Sequence, residues 1–141
     1  MLKHTIFLNE RHPSENSVFH LRLLEVEKVV STFGFEYGEK LIASFSKALK
    51  KILRESDAVG RWAGSDFVII LPRTGINIAE KVAKKLYMSL INTEIMKNIK
   101  PSLAIGITNI LYDDTVENVL EKARNEMQKA SKERYDRVSK A

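Results

Sequence analysis

The sequence predicts an α/β (α+β) sandwich: a mixed central sheet with one β-hairpin and flanking helices. Three observations predict it. Apolar residues switch between short continuous runs and stripes that repeat every three to four residues. Helical stretches alternate with strands except at one tight turn, Ala63-Gly64-Ser65-Asp66, where two strands follow directly on each other. With 141 residues, 44% of them hydrophobic, residues 1–141 amount to one domain with enough apolar side chains for a core.

Taken in order, Thr5-Ile6-Phe7-Leu8 reads as a strand, followed by the polar linker NERHPSENS. Residues 18–26 are apolar at nearly every position, which predicts an interior strand covered on both faces. A helix is expected over 37–54, where Leu41, Phe45, Leu49 and Ile52 form one stripe. The hairpin follows with strands near 58–63 and 66–72, closed by Pro72. A second helix is expected over 77–97, with Asn77 and Glu80 spaced as a capping box. PSLAIGITNI (101–110) reads as a strand. The last helix starts after Asp114 with Glu117 three positions on, and Asp136-Arg137-Val138 ends the chain as a short strand.

Composition narrows the function classes. The chain has no cysteine, so disulfides and thiolate metal sites are excluded. His4, His12 and His20 show no metal-ligand spacing on a helix and read as surface or satisfied histidines. No apolar run is long enough to span a bilayer and the start does not open a secretory signal, so membrane insertion is not expected and a cytoplasmic location is. The net charge of +5 fits either a solvated helix face or an anion-binding surface, because lysines and glutamates are interleaved; a nucleic-acid partner is not expected.

An ordered set of motifs carries a resemblance. FGFEYGEKLI (33–42) resembles a Gly-His-x-x-Gly-Asp-x-x-Leu segment, and RESDAVGRWAGSDF (54–67) resembles Arg-x-x-Asp, a spacer, then Arg-x-Gly-Gly-Asp-Glu-Phe. LPRTGINIAEKVAKKL and LAIGIT look like the helix and strand that come next, and ARNEMQKASKERYDRV (123–138) like the closing motif. In this order they resemble a GGDEF domain, the diguanylate cyclase family, over about residues 18–138, with the family's first helix missing or shortened. The resemblance implies a palm-like nucleotidyl-cyclase fold. It also implies chemistry in which magnesium ions and cationic side chains hold the triphosphates of two GTP molecules that become cyclic di-GMP.

The motif residues argue that this chemistry is degenerate here. In the hairpin motif Ala63, Gly64, Ser65, Asp66 and Phe67, the turn glycine and the core phenylalanine are kept. Ala63 adds a methyl where the family has glycine, and Ser65 replaces an acid. Asp66 stands for the family's metal-binding glutamate, either as a remnant ligand or as an acid satisfying turn amides. The family's other metal acids align with Arg22 and Leu24 without a gap, or with Glu25 and Glu27 after a three-residue deletion. The guanine-reading pair appears as Val30-Ser31, and the phosphate-holding Lys and Arg as Ser131 and Tyr135, with Lys132 adjacent but on another helix face. Magnesium is therefore implied only if weak cyclase activity survives on Glu25 and Asp66.

Arg54-Glu55-Ser56-Asp57 matches the family's product-binding Arg-x-x-Asp in kind and offset. A guanidinium can fork onto a phosphate or guanine edge while a carboxylate accepts guanine N–H groups. The same two residues could instead be an exposed pair at a helix end. Arg61 is placed to help or to sit at the surface, and Lys85 aligns with a helper arginine, supplying charge without the planar fork. The sequence thus points to an inactive GGDEF-like signalling domain, a possible cyclic di-GMP receptor through Arg54, Asp57, Arg61 and Lys85. The alternative is a module for a protein partner or self-association that binds no nucleotide.

Overall fold

The computed structural model describes residues 15–96, 99, 101–132 and 138–141. Among them the elements run β1 (Ser17–Leu23), α1 (Val26–Phe33), α2 (Phe35–Ile52), β2 (Ala58–Ala63), β3 (Asp66–Leu71), α3 (Ile76–Ile91), β4 (Leu103–Asn109), α4 (Val116–Ser131) and β5 (Val138–Lys140). The strands form one sheet in the order β2-β3-β1-β4-β5, antiparallel throughout except for the parallel β4–β5 pair. This is the mixed sheet with one hairpin that the sequence predicts.

Register explains the two layers. Phe19, Leu21 and Leu23 point to one face with Phe67, Ile69 and Leu71 of β3 and Ile105 and Ile107 of β4. There they pack against Leu41, Phe45 and Leu49 of α2 and Ala83, Leu86 and Leu90 of α3, all fully or almost fully buried. Phe67 and Phe45 stack as a tilted pair, ring centroids 5.4 Å apart, an arrangement worth about 0.5–1.5 kcal/mol beyond area burial. The opposite face carries Val18, His20 and Arg22, with Ala104, Gly106 and Thr108 as their β4 partners. Val119, Ala123 and Met127 of α4 cover it. A methyl on Gly106 would overlap the backbone of Ala123, Glu126 and Met127, so glycine is what lets α4 lie directly on β4.

Several expected boundaries move. The strand expected over 18–26 ends at Leu23, and a helix the sequence reading lacked, α1, begins at Val26. Its stripe, Val26, Val29 and Val30, had merged into the apolar run of the preceding strand. Val30 packs against Gly38 of α2, which has no room for a side chain beside it. The helix expected over 77–97 runs from Ile76 to Ile91; its N-cap is Gly75, with no side-chain cap hydrogen bond, so Asn77 and Glu80 lie inside it. Both are in reach of Lys140 Nζ, at 3.4 and 3.3 Å, which ties α3 to β5. The last helix is capped by Thr115, whose hydroxyl accepts from the Asn118 N–H, rather than by Asp114. Asp114 accepts from the Leu111 N–H and pairs with Lys122. The short terminal strand covers Val138–Lys140; Asp136 and Arg137, with which it was expected to begin, lie outside the described residues. The strand expected at 5–8 and any first helix lie outside the described residues. No helix among the described residues is long and apolar enough to cross a membrane.

Candidate functional site

The hairpin turns at Gly64, whose φ of +54° lies in the left-handed region that glycine adopts without a Cβ clash. Arg61 braces it: Nε donates to the Gly64 carbonyl at 2.7 Å, and the guanidinium forks onto Glu39 of α2 at 2.8 and 3.1 Å. Arg61 is thus exposed but engaged within the fold. The Leu23 N–H donates to the Ser65 carbonyl at 3.0 Å, docking the turn against the end of β1.

Asp66 opens β3 directly opposite Arg22 in the β1–β3 register, while His20 lies diagonally across on the same face. Arg22 donates from Nε to Oδ1 at 2.8 Å and from Nη2 to Oδ2 at 3.0 Å. His20 Nε2 lies 2.8 Å from Oδ2, and because an ionised carboxylate only accepts, that nitrogen carries the proton. His20 is therefore buried and satisfied. Burial is the largest single influence on Asp66 and opposes its charge. The hydrogen bonds from His20 and Arg22, with the Arg22 and His20 charges, outweigh it and hold the carboxyl at about 2, below its ordinary 3.8. The hydrogen bond to Asp66 in turn raises the Arg22 pKa.

A cavity of about 530 Å³ opens beside this pair, lined by Arg22, Glu27, Trp62, Gly64, Asp66 and Arg124 among others. Of the acids aligned with the family's metal ligands, Glu27 and Asp66 both line this cavity. Both Asp66 oxygens already accept from Arg22 and His20, and Arg22 lies directly across from Asp66 in the sheet. Glu25 is the N-cap residue of α1, past the strand end, and is not among the residues lining the cavity. Among the described residues no group of three or more His, Asp or Glu is placed to hold a metal ion. Val30 packs toward Gly38. Ser131 bonds its own helix at the Gln128 carbonyl, Lys132 caps that helix at its C-terminal end, and Tyr135 lies outside the described residues.

A second cluster forms where α2 ends. The Asp57 carboxylate, its side chain only 2% exposed, accepts from the Arg54 backbone N–H at 2.9 Å and from Arg54 Nη2 at 2.8 Å. Arg54 Nε reaches Asp57 at 3.1 Å, and Nη2 also donates to the Thr74 hydroxyl at 2.9 Å. The Arg54 side chain remains 53% exposed, and its pKa is raised, first by the hydrogen bond to Asp57. Lys85 is exposed on α3.

The chain matches the family described as diguanylate cyclase, GGDEF domain, over residues 1–137. It belongs to the GGDEF family. Relatives of this GGDEF domain include diguanylate cyclase DgcM of Escherichia coli K12, 21% identical over 123 residues, or 85% of this chain and 30% of that protein. Diguanylate cyclase A of Treponema denticola is 26% identical over 113 residues, 78% of this chain and 29% of that protein. The domain thus spans under a third of these relatives' length. Among solved structures, diguanylate cyclase SiaD of Pseudomonas aeruginosa in complex with its activator SiaC superposes with a TM-score of 0.91 at 22% identity, over 99% of this chain and 55% of that one. The GGDEF domain of DgcB from Caulobacter crescentus in complex with c-di-GMP gives 0.86 at 14% identity, over 99% and 85%. These likenesses establish the palm-like cyclase fold.

His20 is the satisfied histidine that the sequence allows. Trp62 and Thr74 carry no signal in the sequence that singles them out. Strand alternation puts His20 and Arg22 on one face, a signal available in the sequence once the strand end is known.

Proposed function

We propose that this GGDEF domain is a catalytically silent signalling module that recognises cyclic di-GMP through Arg54. One observation carries the silence: the carboxylate at the hairpin tip is ion-paired to Arg22. Condensation of two GTP molecules needs acidic oxygens free to hold magnesium beside the triphosphates, and here a guanidinium neutralises the acid in that place. The weak-cyclase pairing of Glu25 with Asp66 has no support in this arrangement.

Receptor binding is supported by the state of Arg54. Its guanidinium is half-exposed yet aimed by two partners on one side, so less side-chain entropy is lost when a ligand arrives. Asp57 is buried and Arg54 is not, so the pair holds the guanidinium in place while leaving it open to solvent on its other side. Asp57 faces inward and serves to aim Arg54. Lys85 adds long-range attraction for the ligand's phosphates. The c-di-GMP named with the DgcB structure belongs to that protein, and it makes this ligand the first to test.

Calorimetric titration with cyclic di-GMP is expected to give saturable heat with the unaltered domain and a loss of at least tenfold in affinity for Arg54→Ala. No heat at high micromolar ligand overturns the receptor reading. Incubation with GTP and magnesium is expected to yield no cyclic di-GMP on chromatography; turnover abolished by Asp66→Ala overturns the silence. A second reading, a protein-interaction module, has its own observation. Phe33 and Phe35 flank Gly34 and are 61% and 70% exposed, an apolar corner of the kind interfaces bury. It becomes the leading reading if the ligand gives no heat.

A further inference from the structure

Resting on the receptor reading, we infer that Thr74 is a positioning residue for Arg54 and that it decides which edge of the guanidinium meets the ligand. Arginine carries five N–H protons: one on Nε and two on each terminal nitrogen. Asp57 accepts from Nε and from Nη2. The Thr74 hydroxyl, 2.9 Å away, accepts the second Nη2 proton. Nε and Nη2 are then spent, and the two protons of Nη1 are left for a ligand. A single terminal nitrogen suits a phosphate oxygen better than the paired acceptors of a guanine edge, which need parallel N–H groups on two nitrogens.

Thr74 is itself held so that it can do this. It is 3% exposed. Its hydroxyl donates to the Pro72 carbonyl at 3.0 Å, which leaves the oxygen lone pairs toward Arg54. Its own carbonyl accepts from the buried Ser17 hydroxyl at 2.7 Å, and the neighbouring Arg73 N–H, in a left-handed backbone with φ of 50°, donates to Asn16 Oδ1 at 3.0 Å. The loop carrying Thr74 is therefore clamped to the start of the central strand. A threonine buried and fixed at both ends is a rigid acceptor, whereas an exposed serine or a water would follow the guanidinium as it moved.

The test is Thr74→Val, which keeps shape and removes the hydroxyl, beside Thr74→Ser, which keeps the hydroxyl. Thr74→Val is expected to bind cyclic di-GMP about tenfold more weakly, the order of one hydrogen bond to a charged group. Thr74→Ser is expected to stay within about twofold of the unaltered domain. Equal affinity for Thr74→Val, or an equal loss in both variants, overturns the inference. Should Thr74→Val melt too low to titrate, Thr74→Ala replaces it. Side-chain NMR of Arg54 reads the same point without ligand: the guanidinium N–H signals are expected to be resolved and slowly exchanging in the unaltered domain and averaged in Thr74→Val. Unchanged signals also overturn it. If the unaltered domain gives no heat while the NMR contrast holds, the receptor reading fails and the positioning role stands.

Discussion

Arg22 and Asp66 face each other across β1 and β3, with His20 on the same sheet face, so the Asp66 carboxylate is held by two side chains of β1. Removing Arg22 leaves a largely buried carboxylate with one partner, which is more costly than never having had the pair. Arg22→Ala is expected to lose about 1–3 kcal/mol at neutral pH in urea unfolding, Arg22 being partly in solvent. The Asp66 carboxyl is lower folded (about 2) than free (3.8), so its contribution is complete above pH 3.8 and is lost as pH falls toward 2. After allowance for solvent screening that contribution is about 1–2 kcal/mol. Unfolding measured across this window is expected to show stability falling with acid. In Arg22→Ala the Asp66 carboxyl titrates higher, visible in its side-chain carbon NMR shift; an unmoved midpoint contradicts the pairing.

The elements depend on how closely they approach. At Gly106 a Cβ would collide with backbone rather than with flexible side-chain ends, so the helix itself would have to lift. Gly106→Ala is expected to cost about 2–4 kcal/mol, read as a lower denaturation midpoint, even though alanine is normally the better strand residue. The lift would also separate Glu126 of α4 from the Ser139 hydroxyl of β5, which it accepts from, so amide exchange in β5 is expected to quicken. The α1–α2 corner is tight for the same kind of reason: Val30 fills the space a side chain on Gly38 would need.

At the scale of the whole molecule, the proposed silence rests on several elements at once. Arg22 is on β1, Val30 and Ser31 are on α1, and Ser131 ends α4, so on that proposal no single reversal rebuilds the chemistry. Arg22→Asp places two carboxylates across one strand pair, a minimal oxygen site for a hard cation. Its thermal midpoint is expected to rise with millimolar magnesium while that of the unaltered domain does not, and GTP is expected to remain uncondensed. Product formation by this one variant would mean that the rest of the pocket is more intact than its residues indicate.

The alternation of strands and helices, the hairpin at Gly64 and the stripe of Leu41, Phe45 and Leu49 were legible because each is written in residues a few positions apart. So was the motif order that marks the family. The start of α1 was not legible, because Leu23 through Val30 satisfies both a strand run and a helix stripe, and only pairing with β3 and β4 stops the strand at Leu23. Nor were the ion pairs. Asp66 meets Arg22 and His20 across separations of 44 and 46 residues, and Arg54 meets Thr74 across 20. No local periodicity encodes such meetings. Cross-strand register brings the acid to Arg22 and His20, and the packing of the β3–α3 loop against β1 brings the threonine to the arginine.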